Sequence, residues 1–191
     1  HIDDADEFRR TLGATFDAAE STGRLVLMGI VPGTPSTQLG YIEAAETLAE
    51  IDGYPVRKVT RFVEKPDLER ARHFVSSGRH FWNPGVFVWR VETILSEFKR
   101  LEPRIYELVE SIAEAPDRDA EGGALQTVYP TVPIQTIDVG IMEKSDLVAV
   151  VPAHFGWSDI GSWSEIFDVL PRDEAGNASQ GEHLELGSRD T

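Results

Sequence analysis

Cysteine is absent from the 191 residues. Its absence removes disulfides, thiol catalysis and thiolate metal sites together, and fits a reducing compartment, so a cytoplasmic location is expected. Positive charge is scarce: 18 Lys and Arg stand against 33 Asp and Glu, a formal net charge of −15. Such a field repels polyanions, so neither nucleic acid nor an anionic membrane surface is expected as a partner. No apolar run approaches the ~20 residues of a membrane span. The five histidines, His1, His73, His80, His154 and His183, show no metal-ligand spacing and read as surface or structural groups. There is no Gly-x-Gly-x-x-Gly, no Walker lysine and no serine elbow, so a nicotinamide enzyme or a covalent hydrolase has no support.

Hydrophobic residues make up 41% and charged residues 27%, the composition of a folded globular chain. At about 150 residues per domain the length predicts one domain, with a possible tail. The start, His1-Ile2-Asp3-Asp4, has no initiator Met and no secretory signal, and the chain reads as part of something longer.

Acids crowd the first turn of a predicted helix over 3–21, with Phe8, Leu12, Phe16 and Ala19 as its apolar stripe. Residues 24–31 read as a buried strand, 40–47 and 56–64 as further strands, and Asp67 as the cap of a helix to about Ser77. A short strand over 85–90 precedes two helices separated at Pro103. Residues 116–124 read as an exposed loop or a frayed helix start, 136–144 as a short helix and 147–152 as a buried strand. Ser162-Trp163-Ser164-Glu165 has the form of a capping box. Apolar strands alternating with helices predict an α/β domain whose sheet is mostly parallel and covered on both faces. After Pro171 the composition turns to Gly, Asn, Ser and acids, which places a boundary there.

Four segments put polar or Gly/Pro residues at strand ends, where open α/β sheets bind ligands. Phe62-Val63-Glu64-Lys65-Pro66 delivers a carboxylate able to accept from sugar hydroxyls and a compact cation suited to phosphate; it reads equally as a solvated strand-to-helix turn. In Trp82-Asn83-Pro84-Gly85-Val86-Phe87, Asn83 offers a donor and an acceptor to a polyol, unless the segment is simply a turn into a strand. Phe155-Gly156-Trp157-Ser158-Asp159-Ile160-Gly161-Ser162-Trp163 sets an Asp between two glycines ahead of a helix, where it can hold a divalent cation or serve as one more helix-end acid. The loop from Gly29 to Ile42 leaves Gly40 able to present bare backbone and Tyr41 able to stack or hydrogen-bond, or is a plain surface loop.

In this order the segments resemble the mannose-1-phosphate guanylyltransferase family of sugar-phosphate nucleotidyltransferases, over essentially the whole chain. Phe62 to Pro66 is similar to its F-V-E-K-P, and Trp82 to Phe87 to its W-N-S/T-G-M-F. Ile137 to Lys144 is similar to its I-D-Y-A-V-M-E-K, and Phe155 to Trp163 to its F-G-W-S-D-x-G-S-W, the most specific of the set. Gly176-Asn177 with Gly181 resembles the exit from the catalytic domain into a β-helical tail. The departures lie in the loop Pro32 to Ile42, where the family usually reads P-T-R-P-E-T-G-Y-G-Y-I, and at Pro84, where it has Ser or Thr. They fall in the expected sugar pocket.

The resemblance implies a Rossmann-like three-layer αβα fold with a mixed, mostly parallel sheet. It implies that 1–171 is the C-terminal part of a catalytic domain and 172–191 the start of a poorly ordered β-helical tail. The family's triphosphate loop and a Mg²⁺-binding Asp would lie ahead of His1. The implied reaction joins mannose 1-phosphate to GTP, giving GDP-mannose and pyrophosphate, in a homo-oligomeric parent. Lys65 would neutralise the sugar phosphate; Glu64, Asn83, Gly40 and Tyr41 would hold the sugar; Asp159 would bind Mg²⁺. Another sugar 1-phosphate, or a non-catalytic regulatory or assembly subunit, are the alternatives.

Overall fold

A computed structural model describes residues 1–191 except Gln180, His183, Glu185 and Thr191, and Ser164 and Asp168 through their backbone only. His183 therefore lies outside the described residues. The chain divides into two compact units, Arg9–Ala153 and a second made of His1–Phe8 with His154–Thr191. The boundary expected at Pro171 falls inside the second unit.

Six strands of the larger unit form one mixed sheet among the described residues: β1 (Leu25–Ile30), β2 (Tyr41–Ile51), β3 (Tyr54–Val63), β4 (His80–Trp82), β5 (Phe87–Val88) and β6 (Val148–Ala153). The spatial order is β4-β2-β3-β6-β1-β5, and β4 also pairs with β1. β1 and β6, buried at every residue, run parallel from Leu25↔Val148 to Ile30↔Ala153. They are the strands that continuous apolar runs identify as covered on both faces. The remaining pairings are antiparallel. The sheet is thus mixed, as expected, but its balance is antiparallel, because a hairpin and two very short strands supply most of the ladders. That hairpin joins β2 to β3 through Asp52 and Gly53, at φ 51° and 83°. Positive φ at both turn positions is what a two-residue hairpin with the right strand twist demands, and Asp-Gly is among the pairs that tolerate it.

Helix α1 (Ala5–Thr22) buries Thr11, Ala14, Thr15, Ala18 and Ala19. Phe16, expected in the apolar stripe, is 57% exposed. The small face is the one that packs, and the hydroxyl of Thr15 is satisfied within the helix by donating to the Thr11 carbonyl at 2.7 Å. α2 (Leu68–Ser77) begins at Asp67, whose carboxylate accepts from the Arg70 amide at 2.8 Å, and ends at Gly78 in the left-handed region. α3 (Val91–Leu101) and α4 (Pro103–Ala113) follow, with Pro103 at the first turn, where its missing N–H costs nothing. α5 (Arg118–Val128) is a formed helix, capped by Asp117 accepting from the Ala120 amide. Residues 138–142 form a π-helical turn in which the Glu143 amide donates to the Asp138 carbonyl at 2.8 Å.

The main core joins Leu25, Leu27, Ile42, Phe81, Ile141, Met142, Val148 and Val150. A second cluster packs Ala18 and Ala19 against Val26, Val56, Val88, Ala149 and Val151. Under α2 a third gathers Tyr41, Val63, Ala71 and Phe74. In the smaller unit the first residues pair with 155–158, through Ile2↔Trp157 and the amides of Asp3 and Asp4 donating to Gly156 and Phe155 at 3.0 Å. Phe8 meets Phe155 edge to face at 5.2 Å. α6 (Trp163–Val169) starts with the expected capping box, the Ser162 hydroxyl accepting from the Glu165 amide at 3.3 Å.

Candidate functional site

The ladder brings four strand ends into one row: Ile30 pairs with Trp82, Trp82 with Tyr41, and Tyr41 with Val63. One residue beyond each pairing, the next row consists of Asn83, Gly40 and Glu64. The Asn83 amide donates to the Gly40 carbonyl at 2.9 Å, so the row is held by backbone. A Cβ added at Gly40 would come within 2.6 Å of Glu64 Oε2 and 3.6 Å of Asn83 Cβ. The glycine is therefore the floor over which the Glu64 carboxylate lies, and no larger residue fits without moving it.

Asn83 is gripped at both ends of its amide. Its Nδ2 donates to Asp138 Oδ1 at 2.9 Å, and its Oδ1 accepts from the Gly85 amide at 3.0 Å. Asp138 sits at the start of the π-helical turn, a distortion frequently found at functional sites. Asp138 belongs to the Ile137–Lys144 motif, but a lone Asp ahead of an apolar turn carries no signal of a partner 55 residues away. Lys144, in the same motif, is held elsewhere, by Glu102 at 2.5 Å.

Lys65 follows Glu64 with its backbone at φ 42°, a left-handed conformation uncommon for a non-glycine residue. Its ammonium stands 3.4 Å from Glu64 Oε1, and both side chains are more than half exposed, 62% and 54%. An exposed pair in this geometry contributes little to stability, which leaves the cation available to a ligand. Tyr41 takes a different place from the one expected. It is wholly buried, with its ring 5.2 Å from Phe74, and its hydroxyl donates to the Ser36 carbonyl at 3.0 Å. It offers no face for stacking and instead ties the 31–40 loop to the core. Close by in the row, the indole Nε1 of Trp82 is buried without a hydrogen-bond acceptor among the described residues; an orphaned donor of this kind costs about 1–3 kcal/mol.

Asp159, in the smaller unit, is exposed on a strained turn: Ile160 is β-branched yet sits at φ 49°. The Ile160 amide donates to Ser158 Oγ at 3.1 Å. A Cβ at Gly161 would lie 3.3 Å from Asp159 Oδ2 and 3.5 Å from Glu165 Oε2, so two carboxylates flank this glycine. Among the described residues no group of three His, Cys, Asp or Glu converges to enclose a metal. Mg²⁺ does not need one, since it is commonly held by one or two carboxylates and substrate phosphates. The carboxylate oxygens of Asp159 and Glu165 on this open turn are hard and anionic, the donor type such an ion takes, and Glu165 is known from the sequence only as part of the capping box.

The fold is an α/β sheet with a carboxylate, an amide and a lysine at its strand ends, and the chain belongs to the Nucleotidyl transferase family, whose pattern matches residues 3–176. Xanthan biosynthesis protein XanB of Xanthomonas campestris is 38% identical over 175 residues, 91% of this chain and 36% of that protein. Alginate biosynthesis protein AlgA of Pseudomonas aeruginosa is 38% identical over 184 residues, 96% of this chain and 38% of that one. The chain thus spans a little over a third of the length of these relatives. A Thermus thermophilus crystal structure described as a mannose-1-phosphate geranyltransferase superposes with a TM-score of 0.76 at 30% identity, covering 92% of this chain and 48% of that one.

Proposed function

We propose that this chain carries the sugar-phosphate side of a mannose-1-phosphate guanylyltransferase, which joins mannose 1-phosphate to GTP to give GDP-mannose. The observation that carries the reading is the row Glu64–Gly40–Asn83, with Lys65 next to its carboxylate. A related protein from Klebsiella pneumoniae, named mannose-1-phosphate guanylyltransferase, is 38% identical over 161 residues, 84% of this chain and 34% of that protein, and supports it.

In this reaction a phosphate oxygen of the sugar forms a bond to the α-phosphorus of GTP, the bond from that phosphorus to the bridging oxygen breaks, and pyrophosphate leaves with the electron pair. No protein nucleophile is needed, so the residues position and neutralise. Lys65 neutralises the sugar phosphate. Glu64 accepts from sugar hydroxyls across Gly40, and the second N–H of Asn83 donates to the sugar ring. Asp159 would hold Mg²⁺, which when bound would supply charge neutralisation for the phosphates.

The test is Lys65→Ala in the full-length enzyme. Loss of a charge-assisted phosphate contact costs about 1.5–3 kcal/mol, a loss of roughly 10- to 150-fold in kcat/KM for mannose 1-phosphate, with GTP binding much less changed. Unchanged kinetics toward mannose 1-phosphate would overturn the assignment, and absence of turnover in the unsubstituted enzyme would favour a regulatory subunit.

A further inference from the structure

Away from the Glu64–Gly40–Asn83 row, the outer sheet face under α2 holds a cavity of about 490 Å³ that the proposed reaction does not use. Its floor is a cross-strand row. Glu43 on β2 pairs with Arg61 on β3 and with His80 on β4, and directly opposed residues present their side chains to the same face. α2 closes over them with Arg70, His73 and Phe74, at the spacing that puts three side chains on one helix face. Arg79 enters from the turn after α2.

The charges around this cavity are unevenly matched. Glu43 stands 3.8 Å from Arg79, and the Asp67 carboxylate is the helix cap, bonded to the Arg70 amide. Arg61 and Arg70 have no carboxylate within ion-pair distance among the described residues; the Arg70 guanidinium lies 5.7 Å from the Phe74 ring centroid instead. Glu69 is the one lining acid with neither role. His80 is buried and fixed, stacked on Phe74 at 4.2 Å with Nδ1 2.7 Å from the Ser77 hydroxyl. Because that hydroxyl donates to the Phe74 carbonyl, His80 Nδ1 is the donor to it. The floor is thus rigid and the two unmatched guanidiniums are solvent-facing. Guanidinium forks match the paired oxygens of a phosphate.

We propose that this cavity is a second anion site, which takes a single phosphate group, free or as a phosphate monoester, between Arg61 and Arg70. The site is independent of Lys65.

Arginine-selective modification by phenylglyoxal, mapped by peptide mass spectrometry on the full-length protein, reads it directly. Inorganic phosphate at ten times its dissociation constant should slow labelling of Arg61 and Arg70 about tenfold relative to chloride at equal ionic strength, with Arg104 and Arg118 unaffected. The protection should persist in Lys65→Ala and be lost at Arg70 in Arg61→Ala, both of which alter exposed side chains. A hexose 6-phosphate protecting at lower concentration than inorganic phosphate identifies a monoester as the ligand; the reverse order identifies the free ion. Equal protection at all four arginines, protection that disappears with Lys65, or equal protection by sulfate would overturn the proposal.

Discussion

Asn83 Nδ2 donates to Asp138 Oδ1 at 2.9 Å, joining the end of β4 to a π-helical turn 55 residues further along the chain. With the Gly85 amide on its oxygen, Asn83 cannot rotate without breaking two hydrogen bonds. Its orientation is set before any ligand arrives, which lowers the ordering cost of binding.

Asp138 is accordingly a positioning residue. Asp138→Ala should raise KM for mannose 1-phosphate by about tenfold, the worth of one hydrogen bond near 1.5 kcal/mol, with a smaller change in kcat. Asp138→Asn keeps an acceptor oxygen and should restore most of the loss. Steady-state kinetics with the sugar phosphate varied checks both; a purely structural Asp138 would lower the melting temperature without moving KM.

Gly40→Ala separates site from scaffold. The added Cβ would sit 2.6 Å from Glu64 Oε2, the far end of a flexible and half-exposed side chain. The carboxylate should swing away rather than the strands part. Thermal melting should stay within about 1 kcal/mol of the unsubstituted protein, while kcat/KM for the sugar phosphate falls about tenfold or more.

Asp159→Asn keeps the size of the side chain but removes the charge that selects a hard divalent cation. The variant should melt normally and remain inactive across a Mg²⁺ titration of the full-length enzyme. If Asp159 served only the entry to α6, rate and Mg²⁺ dependence would both be retained.

Glu97 on α3 is 4% exposed. Its carboxylate accepts from both Nε and Nη2 of Arg100, at 2.9 and 2.7 Å, and that contact holds its pKa below the usual carboxylate range. A group whose folded pKa is lowered stabilises fully above its unfolded pKa and loses that contribution as pH falls through the folded value. Stability should therefore drop by about 1 kcal/mol on acidification below the carboxylate range. In Glu97→Gln that acid-dependent part should be missing, as urea melts at neutral and acid pH would show.

The elements with strong local chemistry were legible before folding was considered. Asp67 announces α2, Ser162 with Glu165 announces α6, and the wholly apolar 147–152 announces β6, because capping and continuous burial leave their marks within a few residues. The Asp52-Gly53 turn was equally local, and reading it as a hairpin would have corrected the parallel bias of the expected sheet. Phe16 misled because periodicity finds an apolar face without saying whether a closer-packing small face competes with it.

Lys65, Glu64 and Asn83 could be singled out from residue type and their place at strand ends. The meeting of Glu64 and Asn83 in one row with Gly40, with Lys65 next along the chain, is a matter of register, which is decided when β2 pairs with β3 on one side and β4 on the other. The same holds for Asp138 beside Asn83, and for Arg61 and Arg70 facing one cavity. Local sequence sets helix caps, turns and buried strands, since those energies depend on neighbours along the chain. Contacts between residues tens of positions apart depend on how the strands align, and a shift of one residue would turn every side chain to the other face.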